Sequence, residues 1–147
     1  MEQCKIKILW IDDDIFRRKL QPYVDELNEN GFEIIGVANP DDIDMSIDLH
    51  SDIQCIIVDI SMPIGKSINA NEAKMGMRTG LVVLQNLNNN ANLNHIKKVI
   101  FTVTDDDVVR AYCNDNGVPY LQKQNYLTDT FVKEIKRILK STRKTKK

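Results

Sequence analysis

The sequence predicts a doubly wound α/β protein built on a five-stranded parallel sheet with helices on both faces, and three observations predict it. Five short apolar runs recur along the chain, Ile6 to Ile11, Phe32 to Val37, Ile53 to Ile60, Val99 to Val103 and Val118 to Leu121. The runs are mostly continuous rather than alternating apolar and polar, as parallel strands are when both faces are covered. Amphipathic segments of helix length separate them, and strictly alternating β and α units wind a sheet of this kind with right-handed crossovers.

The elements follow in order. After the first run, Ile15 to Asn30 reads as a helix stopped by Gly31, with Asp14 as its cap. Pro22 lies inside that segment, so a kink or a late start is expected. After the second run, Asn39 is a natural N-cap and Pro40 a natural first residue for a helix reaching His50. Gly80 to Asn90 forms the third helix, and the Asn-rich stretch Asn86 to Asn94 is its polar end and loop rather than a linker. Asp105 to Asn116 forms the fourth, closed by Gly117. Thr128 to Lys140 is the fifth, with Phe131, Ile135, Ile138 and Leu139 at helical spacing. No internal repeat occurs.

Composition narrows the class. The 147 residues are 42% hydrophobic and 28% charged, the balance of one folded domain with a real core. No apolar run approaches the roughly 18 residues of a membrane span, and the N-terminus lacks the apolar segment of a secretory signal. Three widely spaced cysteines, Cys4, Cys55 and Cys113, fit reduced thiols of a cytoplasmic protein better than a disulfide framework. Neither His50 nor His95 has a cysteine at zinc-ligand spacing. Net charge is −1, but Lys140 to Lys147 carries five positive charges and no negative one, which leaves the rest of the chain at −6. Residues 1–140 therefore read as one acidic domain, with no direct nucleic-acid contact expected, and 141–147 as a basic, solvated tail.

In doubly wound sheets ligand chemistry gathers at the carboxyl ends of the strands. There the chain offers Asp12, Asp13 and Asp14 after the first strand, Asp59 after the third, Thr102 and Thr104 at the fourth, and Lys123 beyond the fifth. Singly, each has a bland reading as a helix cap, turn residue or solvated lysine. Together they bring several carboxylates to one rim, where they raise one another's pKa values unless a cation neutralises them. Oxygen-only donors select Mg²⁺ or a similar hard ion such as Mn²⁺. Carboxylates, a hard cation, a lysine and a hydroxyl are the parts of a phosphoryl-transfer site, and aspartate is a competent nucleophile for phosphorus.

Four motifs carry a resemblance. Ile8-Leu9-Trp10-Ile11-Asp12-Asp13-Asp14, Ile57-Val58-Asp59-Ile60-Ser61-Met62-Pro63, Val99-Ile100-Phe101-Thr102 and Gly117-Val118-Pro119-Tyr120-Leu121-Gln122-Lys123 stand in the order found in response-regulator receiver domains of two-component signal transduction. The resemblance spans about residues 5 to 140. It implies strand order 2-1-3-4-5 and a phosphoacceptor at Asp59. It also implies Mg²⁺ held by Asp12, Asp13, Asp59 and the backbone carbonyl of Ser61. Thr102 and Lys123 would contact phosphoryl oxygens, with Thr102 and Tyr120 as the switch pair. Thr104 is the alternative switch hydroxyl, at a less fitting distance from Lys123. The implied partners are a histidine kinase or histidine phosphotransfer protein and a downstream protein target. The implied state is a monomer or a weak phosphorylation-dependent dimer. On this reading the chain is a stand-alone phosphoacceptor and not an enzyme toward a separate substrate. An aspartyl-phosphate phosphohydrolase typically needs a second carboxylate where this chain has Ser61, and a receiver that is never phosphorylated would not keep all five site residues.

Three departures from the pattern stand out. Gln124 follows the lysine where the family usually has proline, which weakens the expectation of a cis peptide there. Val103 replaces a small residue after Thr102 and is expected to narrow access to Asp59. Ile64 to Thr79 adds about a dozen residues before Gly80, a connection long enough to expect a lid or docking role beside Asp59. Its Lys66, Lys74 and Arg78 against Glu72 form a local positive excess expected to face the phosphoryl group or its donor, and Asn71 to Met77 are expected to form a helical turn.

Overall fold

A computed structural model of the chain describes residues 5–50, 52–66, 71 and 76–141. The strands are β1 (Ile6–Ile11), β2 (Phe32–Val37), β3 (Ile53–Val58), β4 (Lys97–Thr102) and β5 (Tyr120–Gln122). The helices are α1 (Gln21–Glu29), α2 (Ile43–Leu49), α3 (Thr79–Asn88), α4 (Asp107–Asn116) and α5 (Thr128–Ser141), with 3₁₀ turns at Pro40–Asp42 and Lys123–Asn125. All neighbouring strands pair in parallel, in the order β2-β1-β3-β4-β5. The expected fold class and strand order are the observed ones.

The continuous apolar runs follow from two cores. Along each inner strand successive side chains enter opposite faces. Leu9 and Ile11, Ile56 and Val58, and Ile100 pack with Ile43, Leu81, Leu84 and Val109 on the face covered by α2, α3 and α4. Ile8 and Trp10, Cys55 and Ile57, and Val99 and Phe101 pack with Leu27, Phe131 and Ile135 on the face covered by α1 and α5. At the centre of the second core, Phe101 stacks on Phe131 with centroids 4.0 Å apart, and Trp10 meets both rings. Every strand with a neighbour on each side is therefore apolar at both parities, which period-two alternation could not produce.

Several boundaries differ from expectation, each for a local reason. The first helix starts late, at Gln21, because Pro22 lacks an N–H and fits only the first turn. Consequently Asp14 does not cap it. The chain from Asp12 to Leu20 descends through successive turns, and the Asp14 carboxylate meets Lys19 at 3.0 Å and Arg17 at 3.4 Å. The segment after Asn39 begins as a 3₁₀ turn, with the Asn39 side chain accepting from the Asp41 N–H as expected of a cap. The third run stops pairing at Val58, and Asp59 and Ile60 lie just past its end. β4 begins two residues earlier than its apolar run because buried Lys98 satisfies its ammonium on the Leu93 carbonyl at 2.6 Å. The fifth strand is shifted to Tyr120–Gln122, since the Val118 N–H is used on the Cys113 carbonyl to close α4. Gly117 makes that closure with φ +68°, in the left-handed region that glycine enters without cost. The described peptide bonds are all trans, including the one before Gln124.

Candidate functional site

Parallel pairing carries β1, β3, β4 and β5 to one rim, and the ladder runs just beyond the strands. The Asp12 N–H donates to the Val37 carbonyl and the Asp59 N–H to the Ile11 carbonyl, at 2.9 and 3.0 Å. Both aspartates are thus fixed in backbone position and are buried, Asp12 completely and Asp59 at 5% exposure. Asp12 Oδ1 accepts from the Asp14 N–H at 2.9 Å, and Asp12 Oδ2 accepts from Lys123 Nζ at 2.8 Å. Asp59 Oδ1 accepts from the Ile60 N–H at 2.8 Å, while Oδ2 lies 3.6 Å from the same ammonium. Thr102 is buried close enough to Asp59 to help hold its carboxyl down, and the Thr102 hydroxyl accepts the Thr104 N–H at 3.2 Å. Lys123, Asp12, Asp59 and Thr102 therefore meet at one point, as the sequence leads one to expect. Thr104 contributes backbone and not its hydroxyl.

The electrostatics are those of a crowded acidic site. Burial, followed by the Asp12 charge, pushes the Asp59 carboxyl up to about 6, against the opposing pull of Lys123, Thr102 and the Ile60 N–H. Asp13 is raised as well, by burial first and then by the charges of Asp14 and Asp12. Burial alone would lower the Lys123 ammonium, but Asp59 and Asp12 outweigh it and hold the lysine charged.

Asp12, Asp13 and Asp14 bring carboxylate oxygens within 4.8 Å of one another. A cluster of oxygen donors destabilised by its own charge fits a hard divalent cation. The grouping differs in detail from the expected set. Asp14 joins it, whereas Asp59 is tied to it through the shared Lys123 ammonium. Ser61, the expected carbonyl ligand, is exposed two residues after Asp59. Val103 stands at 62% exposure beside Thr102, on the solvent side of the rim.

The third helix is bound to the end of β3 by a close approach. A Cβ on Gly80 would lie 2.0 Å from the Asp59 carbonyl oxygen and 2.7 Å from Ile60 Cα, and the Gly80 N–H donates to the Ile60 carbonyl at 2.8 Å. The Thr79 hydroxyl donates to the Met62 carbonyl at 2.6 Å.

The long connection before α3 corrects one expectation. Arg78 is not directed at the acidic pocket. Its Nε donates to Asp106 Oδ2 at 2.7 Å, at the start of α4. At the other end, the Lys66 N–H meets both carboxylate oxygens of Asp41, at 2.8 and 2.9 Å, and Gly65 turns there with φ +71°. Glu72 and Lys74 lie outside the described residues, as does most of the expected turn from Asn71 to Met77 and the tail from residue 142 onward. Gly76 and Met77 are described as turn.

Tyr120 sits half-buried on β5. Its hydroxyl donates to the Thr104 carbonyl at 2.6 Å and accepts the Asp106 N–H at 3.2 Å. The Asp106 role was not read from sequence, although the run Asp105-Asp106-Asp107 ahead of Val108-Val109 is a capping signal that could have shown it.

A scan of family models finds no match to the chain, and no curated protein matches it in sequence. Solved structures do match. A response regulator receiver domain protein (CheY-like) from Methanospirillum hungatei superposes with a TM-score of 0.73 at 19% identity, over 97% of this chain and 99% of that one. A response regulator from Thermotoga maritima gives 0.69 at 15% identity, over 93% and 99%. The signal receiver domain of a signal transduction histidine kinase from Syntrophus aciditrophicus gives 0.69 at 18% identity, over 95% and 94%. With the β2-β1-β3-β4-β5 sheet and its acidic carboxyl rim already in view, these likenesses establish that the chain has the fold of response-regulator receiver domains.

Proposed function

We infer that the protein is a phosphoacceptor signalling domain of a two-component phosphorelay, taking a phosphoryl group onto Asp59 from a histidine kinase or histidine phosphotransfer protein. One observation carries this reading. One largely shielded ammonium, Lys123 Nζ, stands between Asp12 and Asp59, at 2.8 and 3.6 Å, with buried Thr102 beside Asp59. A lone structural ion pair would need neither the second carboxylate nor the hydroxyl.

The chemistry follows from the hydrogen bonds. Asp59 Oδ1 is occupied by the Ile60 N–H, which leaves Oδ2, on the Lys123 side, as the attacking atom. The new O–P bond forms as the N–P bond of a phosphohistidine breaks, and the electron pair of that bond stays with the imidazole. No proton need leave Asp59, because a carboxyl titrating near 6 is mostly ionised at neutral pH. Lys123 and Thr102 are placed to contact phosphoryl oxygens as charge spreads over them. Asp12, Asp13, Asp59 and the Ser61 carbonyl are the residues that would hold Mg²⁺ or Mn²⁺, which when bound neutralises the carboxylates and the incoming phosphoryl charge. Output is a protein contact made through the face around β5, and Thr102 and Tyr120 relay the change. No nucleic-acid contact by the domain is proposed. Among the described residues no helix is long and apolar enough to cross a membrane, and a cytoplasmic location suits the phosphodonors named.

The test is incubation with a small phosphodonor and Mg²⁺, followed by intact-mass measurement. One added phosphoryl group is expected in the wild type and none in Asp59→Asn. Equal uptake by the two proteins would refute the assignment.

A further inference from the structure

An unbroken run of contacts leads from the backbone of Asp59 to the ring of Tyr120 without passing through Thr102. It begins where Gly80 packs on the Asp59 carbonyl and Thr79 bonds Met62, fixing the start of α3. The residue before that start is Arg78, whose Nε meets Asp106 Oδ2 at 2.7 Å, with the two side chains only 24% and 12% exposed. Asp106 is a hub. Its Oδ1 caps α4 by accepting the Val108 and Val109 N–H groups at 3.0 and 3.3 Å, and its own N–H donates to the Tyr120 hydroxyl. That hydroxyl in turn donates to the Thr104 carbonyl. The guanidinium of Arg110 covers the face of the Tyr120 ring, 4.2 Å from its centroid, and is itself held by Asp105 at 2.7 Å.

We propose that Arg78 and Asp106 form a latch, two positioning residues that hold the Tyr120 hydroxyl between Thr104 and Asp106 and let the segment entering α3 govern the placement of Tyr120. The pair is short, charge-assisted and largely shielded from water, so its geometry is worth more than that of an exposed ion pair. The Asp106 carboxyl titrates below the usual carboxylate value. Burial would raise it, but the Arg78 hydrogen bond and the helix N–H groups outweigh burial. Removing Arg78 frees Oδ2, loosens the turn between Thr104 and Asp106 and lowers the population in which Tyr120 is held. Coupling is reciprocal, so if a group bound at Asp59 favours one placement of Tyr120, a change that biases Tyr120 toward or away from that placement alters affinity at Asp59. That second clause rests on the phosphoacceptor reading, whereas the first does not.

The test labels the protein with 3-fluorotyrosine and follows the ¹⁹F resonance of Tyr120, assigned with Tyr120→Phe. The variants are Arg78→Ala, Arg78→Lys and Asp106→Asn. Asp106→Asn keeps an oxygen for the Val108 and Val109 N–H groups, so α4 survives while the charge facing Arg78 is lost. The Tyr120 resonance is expected to move in Arg78→Ala and in Asp106→Asn, to move no further in the double variant, and to return partly in Arg78→Lys. Tyr23, Tyr112 and Tyr126 should stay in place. Affinity for beryllofluoride with Mg²⁺ should change roughly tenfold in Arg78→Ala and Asp106→Asn, the loss expected for one charged hydrogen bond. An unmoved Tyr120 resonance, additive shifts in the double variant, or wild-type beryllofluoride affinity in both charge-removing variants would overturn the latch. A wild-type protein that binds no beryllofluoride would overturn the phosphoacceptor reading instead. The fluorine spectra, which need no phosphoryl chemistry, would still decide the latch.

Discussion

Replacing Asp59 by asparagine should make the protein more stable, and the size of the gain follows from the site. Asparagine has the shape of the carboxyl and keeps an oxygen for the Ile60 N–H. It removes a charge that burial and Asp12 disfavour more strongly than Lys123 and Thr102 support it. A carboxyl moved from 3.8 to about 6 on folding carries an ionised-state penalty of about 3 kcal/mol, at roughly 1.4 kcal/mol for each factor of ten in acidity. At 5% exposure Asp59 has little solvent to screen that penalty. The sign with pH follows. The folded protein holds the Asp59 proton more tightly than the unfolded chain, so this group favours folding more as pH falls from above 6 toward 4. Above pH 6 the penalty is fully present. Thermal unfolding of wild type and Asp59→Asn at pH 8 should therefore differ by on the order of 10 °C in favour of the variant. The difference should shrink steadily toward pH 4, and saturating Mg²⁺ should raise wild type much more than the variant. An Asp59→Asn protein no more stable than wild type at pH 8, or a difference that does not vary between pH 4 and 8, would refute the picture of a carboxylate held at a cost.

Other outcomes follow from neighbouring residues. Asp13→Ala should weaken Mg²⁺ binding and reduce the Mg²⁺-dependent rise in melting temperature, measured by calorimetry with and without the ion; an undiminished rise would place the ion elsewhere. Gly80→Ala drives a methyl to 2.0 Å from the Asp59 carbonyl and should cost about 3 kcal/mol in chemical denaturation, with slower uptake of phosphate. Val103→Ala trims a side chain that is 62% exposed, so stability should change by no more than about 0.5 kcal/mol. Phosphorylation by small donors and loss of phosphate to water should both accelerate in that variant, as read by phosphate release.

The architecture was legible in the sequence because its strongest signal is burial. β1, β3 and β4 are covered on both faces, so Ile8 to Ile11, Cys55 to Val58 and Val99 to Phe101 are continuously apolar and buried. β5 was less legible. It is a three-residue edge strand whose extent is set by pairing with Ile100 to Thr102 and by the closure of α4 at Gly117, neither of which its own residues encode. The late start of α1 was half-legible. Pro22 forbids the earlier turns, but nothing nearby shows that Asp14 would turn to Arg17 and Lys19 instead of capping.

The site divides along a similar line. Asp12 and Lys123 are 111 residues apart, yet their meeting could be read, because parallel topology sends the carboxyl end of every strand to one rim and each residue lies just past a strand. Arg78 and Asp106 are only 28 residues apart, and their meeting could not. Arg78 follows a long irregular connection, so no periodicity fixes where it points, and any of several carboxylates was an equally good partner on charge alone. Its expected role toward the phosphoryl group came from counting positive charges, which gives attraction without direction. Burial decides between the two kinds of contact. Lys123, at 13% exposure, is fixed by the strand and turn that carry it, and Arg78 by two helix starts held in place by glycine packing and a cap. The second kind depends on main-chain placement that emerges only after the sheet has formed. For that reason chemistry attached to strand ends is visible in such a sequence, and coupling between helix starts requires the fold.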